Sequence, residues 1–322
     1  MAITAGSRGI DNIPAIIKAA GAWLKARGAH PFIVPAMGSH SGATAEGQRA
    51  LLESMGLTRE NTGLEIRASM DCVKVGDVDS GEVWMDRHAF ESEGVLIINR
   101  IKLHTAFSGP LQSGLTKMMV VGLGKIRSAR TFHAARPDHM AGMLAEMGSA
   151  MTATGKIWAG LGILEDGHDQ TAELHAIPGD RILEREPALV ERCRHFFPAL
   201  PCDDINVLVV DEIGKNFSGT GMDTNVIGRR GIRGFEDLTR PRINVIAALG
   251  LSRATAGNAL GVGLADFITQ RLRDAIDEKK TFINTVTTGE MQRMAIPCTL
   301  PDDEALIATI RERFGEQGWM FI

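Results

Sequence analysis

Cysteine is scarce here and nowhere paired. The four present, Cys72, Cys193, Cys202 and Cys298, form no CxxC motif. That argues against a zinc knuckle, an iron–sulfur cluster or a disulfide framework, and suits a reducing cytosol. Positive charge is not in excess either: 35 Lys and Arg against 39 Asp and Glu leave a net charge of −4. No basic field exists to hold nucleic acid or an anionic membrane surface. No apolar run approaches the ~20 residues that span a bilayer. The opening Met-Ala-Ile-Thr lacks the charged and apolar regions of a signal peptide, and no repeat recurs at solenoid periods. A cytoplasmic enzyme or binding protein is the expectation.

What is present suits a large core. At 322 residues, 44% apolar and 23% charged, the chain has room for two α/β domains. Residues 11–27 place Ile13, Ile16, Ile17, Ala20 and Leu24 on one helical stripe, with Asp11 or Asn12 as the expected cap and Pro14 in the first turn. Gly28 ends that helix. The run PFIVPAM (31–37) reads as a buried strand, followed by a helix at about 44–55. Further strands are expected at 95–99, 206–210 and 243–249, and a closing helix at 302–314. Near-continuous aliphatic runs alternating with helices predict mostly parallel sheets. The stretch HFFPALPCDD (195–204), with two prolines and two acids, is the expected boundary. The predicted architecture is two α/β domains, 1–200 and 201–322, with mostly parallel sheets facing a central cleft.

Ligands of open α/β sheets bind beyond the carboxyl ends of the strands, and polar chemistry gathers there. Gly6-Ser7-Arg8-Gly9 follows the first short run, and Gly38-Ser39-His40-Ser41-Gly42 follows PFIVPAM. Arg100 to Thr105, including His104, follows VLIIN, and Asp211 to Asn216, including Lys215, follows NVLVV. His40, between glycines and serines, and His104 each read as an acid/base group or as a surface-loop histidine. Lys117, in GLTKMMVVGLG, either snorkels or is desolvated and nucleophilic. Gly122-Leu123-Gly124-Lys125 reads as a backbone phosphate cradle, though it matches neither a Walker A loop nor GxGxxG. His133 has a metal ligand's chemistry but no partner three or four residues away. The other histidines read as solvated or capping residues. The acidic run 165–169 reads as a polar turn rather than a metal site.

Together these segments resemble a known family. GSRGI (6–10), PFIVPAMGSHSGATAEGQ (31–48), NRIKLHTAFSGPLQSGLTKMMVVGLGK (99–125) and DEIGKNFSGTGMDTNVIGR (211–229) resemble the nickel-dependent lactate racemase family, in a branch whose substrates are often unassigned. The resemblance implies a nickel pincer nucleotide, a modified pyridinium mononucleotide whose sulfur-containing groups clasp nickel. By motif and order it makes His40 and His104 the acid/base pair, Lys117 the cofactor tether and His133 the nickel ligand. Gly122 and Gly124 fall beside the cofactor, and Arg8 holds the substrate carboxylate with its bidentate fork. The implied reaction is racemisation or epimerisation of a 2-hydroxy acid by hydride transfer to and from the pyridinium ring. Proteins that make the cofactor are the implied partners.

Three features depart from the family's pattern. A few extra residues separate His104 from Lys117, which bears on covalent attachment. MDTNVIGRR lacks the lysine that the lactate enzyme places near its substrate, leaving Lys215, Arg229 or Arg230 as substitutes. GSRG lies six residues from the start, so the first domain reads as lacking an N-terminal segment usual in the family. Two other accounts keep the same residues: a metal-independent isomerase or hydrolase, and a non-enzymatic nucleotide- or anion-binding protein.

Overall fold

The computed structural model describes residues 1–322, except for the side chains of residues 287 and 288. The chain divides into two compact units, Met1–Phe197 and Pro198–Ile322.

The first unit contains seven strands: β1 (Ala2–Ala5), β2 (Phe32–Pro35), β3 (Cys72–Val78), β4 (Gly81–Asp86), β5 (Val95–Arg100), β6 (Ile157–Glu165) and β7 (Thr171–Pro178). Five of them form one sheet in the order β2-β1-β5-β6-β7, while β3 and β4 make a separate hairpin. Every pairing in the larger sheet is parallel except β6 with β7. Both faces of the sheet are covered. Ala2, Phe32, Val34, Val95 and Ile97 face one apolar cluster with Met118 and Met147. Ile3, Ile33, Ile98 and Ile163 face another with Ile17 and Leu24. Successive strand residues therefore enter opposite cores, which is why these runs are apolar without alternation.

The helix Ile13–Lys25 buries Ile13, Ile17, Gly21 and Leu24, with proline in its first turn. Gly21 lies so close to Leu64 that an added Cβ would sit 2.9 Å from its Cδ1. The expected cap differs. Asn12 occupies the cap position in a left-handed conformation and its side chain caps nothing. Asp11 instead accepts hydrogen bonds from Thr171 N–H at 2.9 Å and from the Asn12 amide at 2.6 Å. Its side chain is spent on β7 rather than on the helix. The next helix, Ala45–Ser54, is capped by Thr44, which accepts from Gly47 N–H.

The second unit holds β8 (Asp204–Ile213), β9 (Arg242–Leu251), β10 (Phe267–Thr269), β11 (Cys298–Leu300) and β12 (Trp319–Phe321). They form one all-parallel sheet in the order β11-β10-β9-β8-β12. Again the faces divide: Leu208, Val210, Ile246 and Ala248 pack on one side, and Val207, Val209, Val245 and Ala247 on the other with Leu306 and Ile310. Strand β8 runs past its apolar stretch at both ends, because pairing with β9 continues from Asp204 opposite Arg242 to Ile213 opposite Leu251.

Candidate functional site

Strands β1, β2 and β5 are parallel neighbours, so the loops after them emerge along one edge of the first sheet. That edge carries Arg8, His40 and His104. The chain then makes a short turn, Leu115–Lys117, and continues as a π-helical stretch, Met118–Gly122, before the helix Lys125–Ala134. A π-helical turn is intrinsically unfavourable and occurs disproportionately at functional sites. Lys117 stands at its start.

Glycines let the loops close onto this stretch. A Cβ on Gly6 would sit 3.1 Å from Met118 Cε, and one on Gly38, at φ +60°, 3.3 Å from Ala129 Cβ. Gly38 N–H donates to the Gly122 carbonyl at 3.3 Å. These approaches bring Ser7 and His40 to the π-helical stretch, with 2.5 Å between Ser7 Oγ and His40 Nδ1. His104 is fixed twice. Its N–H donates to Gln112 Oε1 at 2.7 Å, and its Nδ1 accepts from Ala106 N–H at 3.1 Å. A nitrogen that accepts from a backbone N–H carries no hydrogen, so neutral His104 has its proton on Nε2.

An aromatic bridge joins these groups. The His104 ring lies 4.3 Å from Phe107, Phe107 lies 6.1 Å from Phe132, and Phe132 lies 5.5 Å from the ring of His133. Lys117 Nζ is 5.7 Å from the centre of the Phe132 ring. Desolvation pushes the Lys117 amine down to about 8, with the Arg8 charge adding to the effect. His133 is exposed over part of its surface, yet crowding around its ring pushes it down to about 4, helped by Lys117 and then His40. Arg8, His40, Lys117 and His133 thus act on one another electrostatically, and His104 joins them through the two phenylalanines. At neutral pH the site presents a neutral His133 and an amine that is unprotonated in about one molecule in ten, far more than an ordinary lysine.

The glycine-rich stretch 122–125 is closely packed. Gly122 and Gly124 are buried. Their added Cβ atoms would meet the Ala36 carbonyl at 2.6 Å and Ser128 Oγ at 1.9 Å. Lys125 is fully buried, paired with Asp86 at 3.1 Å and hydrogen-bonded to the Pro35 carbonyl. The acidic run 165–169 is a turn. Asp166 Oδ1 accepts from His168 N–H at 2.8 Å and from Gln170 N–H at 3.1 Å, and Glu165 pairs with Arg100. Among the described residues, no three His, Cys, Asp or Glu side chains gather as a metal site.

In the second unit, Lys215 follows β8 and donates to Asn284 Oδ1, which also accepts from the Asn258 amide at 3.1 Å. Arg229 belongs to the opposite end of that sheet. It pairs with Asp266 at 2.7 Å and donates to the carbonyls of Ile243 and Asn244, at the start of β9. Both terminal nitrogens of that guanidinium are engaged in clamping the starts of β9 and β10. A shallow depression of about 760 Å³ beside it, lined by Asp204, Asn206 and Arg242 among others, also lies at the amino end of the strands. It is far along the strands from where α/β sheets hold ligands.

No protein-family model and no curated protein matches the chain. Solved structures do. The lactate racemase apoprotein from Thermoanaerobacterium thermosaccharolyticum matches with a TM-score of 0.51 at 14% identity, over 97% of this chain and 77% of the other. The fold is that of lactate racemase. A Thermotoga maritima protein matches with a TM-score of 0.58 at 12% identity, over 99% of this chain and 86% of its own. Within this lactate racemase-like fold, several contributors escape a reading by residue type alone. Ser7 sits inside the GSRG motif but signals nothing by itself. Gln112, Phe107 and Phe132 gain meaning only from contacts across the fold.

Proposed function

We propose that the chain is a racemase or epimerase of a 2-hydroxy acid that works with a nickel pincer nucleotide. The observation that carries this reading is the pairing of a desolvated, partly unprotonated Lys117 with a neutral His133 at the carboxyl edge of a lactate racemase-like fold. Those two residues fit the group. An amine with lowered proton affinity can form a covalent tether near neutral pH. A single neutral imidazole suits a metal that brings its other ligands with it, and suits poorly a metal held by protein alone. Lys117 would hold the nucleotide and His133 its nickel, and when bound the group supplies a hydride-accepting ring beside the substrate carbon.

The chain's own residues do the rest. Arg8, exposed at the mouth of the site, binds the substrate carboxylate through its planar fork. His40, with Nδ1 engaged by Ser7, exchanges the hydroxyl proton through Nε2. His104, whose neutral ring carries its hydrogen on Nε2, faces the same task from its own loop. Inversion of a carbon needs one proton-transfer group for each hand of the substrate, which two histidines on separate loops provide. Proteins that assemble and load the cofactor are the partners this reading requires.

His40→Ala and His104→Ala, each in cofactor-loaded protein, test the assignment through the interconversion of a hydroxy acid followed from either enantiomer. Each variant is expected to lose about 10²–10⁴-fold in both directions. A normal rate in either variant removes that histidine from the reaction.

A further inference from the structure

Glu186 is the least explained charged residue in the first unit. It lies on the helix Ile182–Phe196, is fully buried, and leaves Oε1 without a hydrogen-bond partner. Its other oxygen accepts from Thr116 N–H at 2.9 Å and from the Thr116 hydroxyl. Gly114 admits it: an added Cβ there would sit 1.8 Å from Oε1. Burying a carboxyl group with one oxygen unsatisfied is costly, and such groups in native structures call for a reason. Burial raises its proton affinity, opposed by the bonds from Thr116 and from the Leu115 N–H.

The reason lies one residue further on. Thr116 precedes Lys117, and Lys117 opens the π-helical stretch. A π-helical turn contains one residue more than an α-helical turn, and relaxing it to α geometry rotates one flank by about 100° relative to the other. The far flank is tied down by the Gly38–Gly122 hydrogen bond and by the buried Lys125–Asp86 pair. On the near side the Asn99 amide donates to the Gly114 carbonyl at 2.8 Å and Ser113 pairs with Lys102, which leaves the Thr116 peptide as the point of grip next to Lys117. We propose that Glu186 is the positioning residue that grips it, holding the Thr116 peptide and hydroxyl so that Lys117 stays over Phe132 instead of swinging into water. This rests on the tether role given to Lys117, but it concerns where the amine is held and not what reacts with it.

The test reads Lys117 directly. The full chain is treated with a limiting dose of an amine-acylating reagent across pH 6–11, and each lysine is quantified by peptide mass spectrometry. Lys18, exposed, calibrates the reagent, and Lys125, fully buried, reports any general loosening. In the wild type, Lys117 is expected to titrate near 8. In Glu186→Ala its midpoint is expected to move towards the ordinary lysine value of about 10.4, lowering acylation at pH 8 by about tenfold or more. Lys125 should stay protected, and Glu186→Gln, which keeps an acceptor for Thr116, should restore most of the wild-type behaviour. Thr116→Val, which removes only the hydroxyl donor, should give a smaller shift and covers the case in which Glu186→Ala fails to fold.

An unchanged Lys117 midpoint in Glu186→Ala, or in Thr116→Val where Ala does not fold, overturns the proposal. So does a change in Lys117 that always comes with exposure of Lys125, since that marks a purely structural role. The tether reading fails separately: Lys117 titrating as expected in every variant, yet carrying no adduct in cofactor-loaded protein, removes the tether and leaves Glu186 in place.

Discussion

Two lysines eight residues apart, each at one end of the same π-helical stretch, meet the protein interior in opposite ways. Lys125 is fully buried and matched by Asp86 at 3.1 Å, with the Pro35 carbonyl beside it. Lys117 is half-buried and has an aromatic face and the Arg8 charge for company. Burial lowers the proton affinity of both, but at Lys125 Asp86 works against the shift. A buried cation with its counter-ion is architecture. A desolvated amine placed near a second cation holds its proton less tightly, and such perturbed groups cluster at functional sites. The contrast separates what holds this region together from what it is built to do.

The comparison breaks most sharply on stability. Lys125→Met leaves Asp86 buried beside no cation and should cost about 3–5 kcal/mol in urea unfolding of the full chain. Lys125→Met combined with Asp86→Leu should cost less than the sum of the single changes, because the stranded charge is gone. Lys117→Met strands no counter-ion and removes a desolvated amine, so at pH 7 it should be no less stable than the wild type. Similar losses at the two positions would erase the distinction.

The dependence on pH sharpens it further. Lys117 titrates near 8 in the folded chain and near 10.4 when unfolded, so between those values the unfolded state holds more protons. Stability should therefore rise with pH across that window, and Lys117→Met should flatten the rise. His133 gives the same sign at lower pH. It titrates near 4 when folded and about 6.5 when unfolded, so stability is lost as pH falls from 6.5 towards 4, and His133→Asn should remove that part of the loss. A slope unchanged by either substitution would mean that the group is solvated in the native state. The smallest effect is expected at Ser7. Ser7→Ala removes one hydrogen bond to His40, and a loss of about tenfold or less in turnover, with the fold intact, is expected. A loss as large as that of His40→Ala would place Ser7 in the proton transfer itself.

Strands and helices with strong apolar patterns were legible in advance because their side chains enter cores on both sides of a sheet. The helix Ile13–Lys25 and strands β5, β8 and β9 follow that rule. The hairpin β3–β4 was not legible, since its residues are mostly half-buried and show neither a clean alternation nor a continuous apolar run. The helix cap at Asp11 misleads for a related reason: a carboxylate good for capping is equally good for bonding β7, and only the fold decides between them. At the site, loop glycines and serines pointed to Arg8 and His40, a strand end to His104, apolar surroundings to Lys117 and metal-ligand chemistry to His133. Gly122 and Gly124 read as ligand-binding glycines, and a glycine needed for close packing, as both are here, has the same signature in a sequence. Glu186 carried no signal at all, because its partner Thr116 lies 70 positions away.

The most direct test of the central claim is nickel content together with intact mass, on protein made in cells that produce the pincer nucleotide. The account predicts about one nickel per chain and an added nucleotide mass that maps to Lys117 and is lost in Lys117→Ala. Correctly folded protein that carries neither nickel nor added mass under those conditions would contradict it.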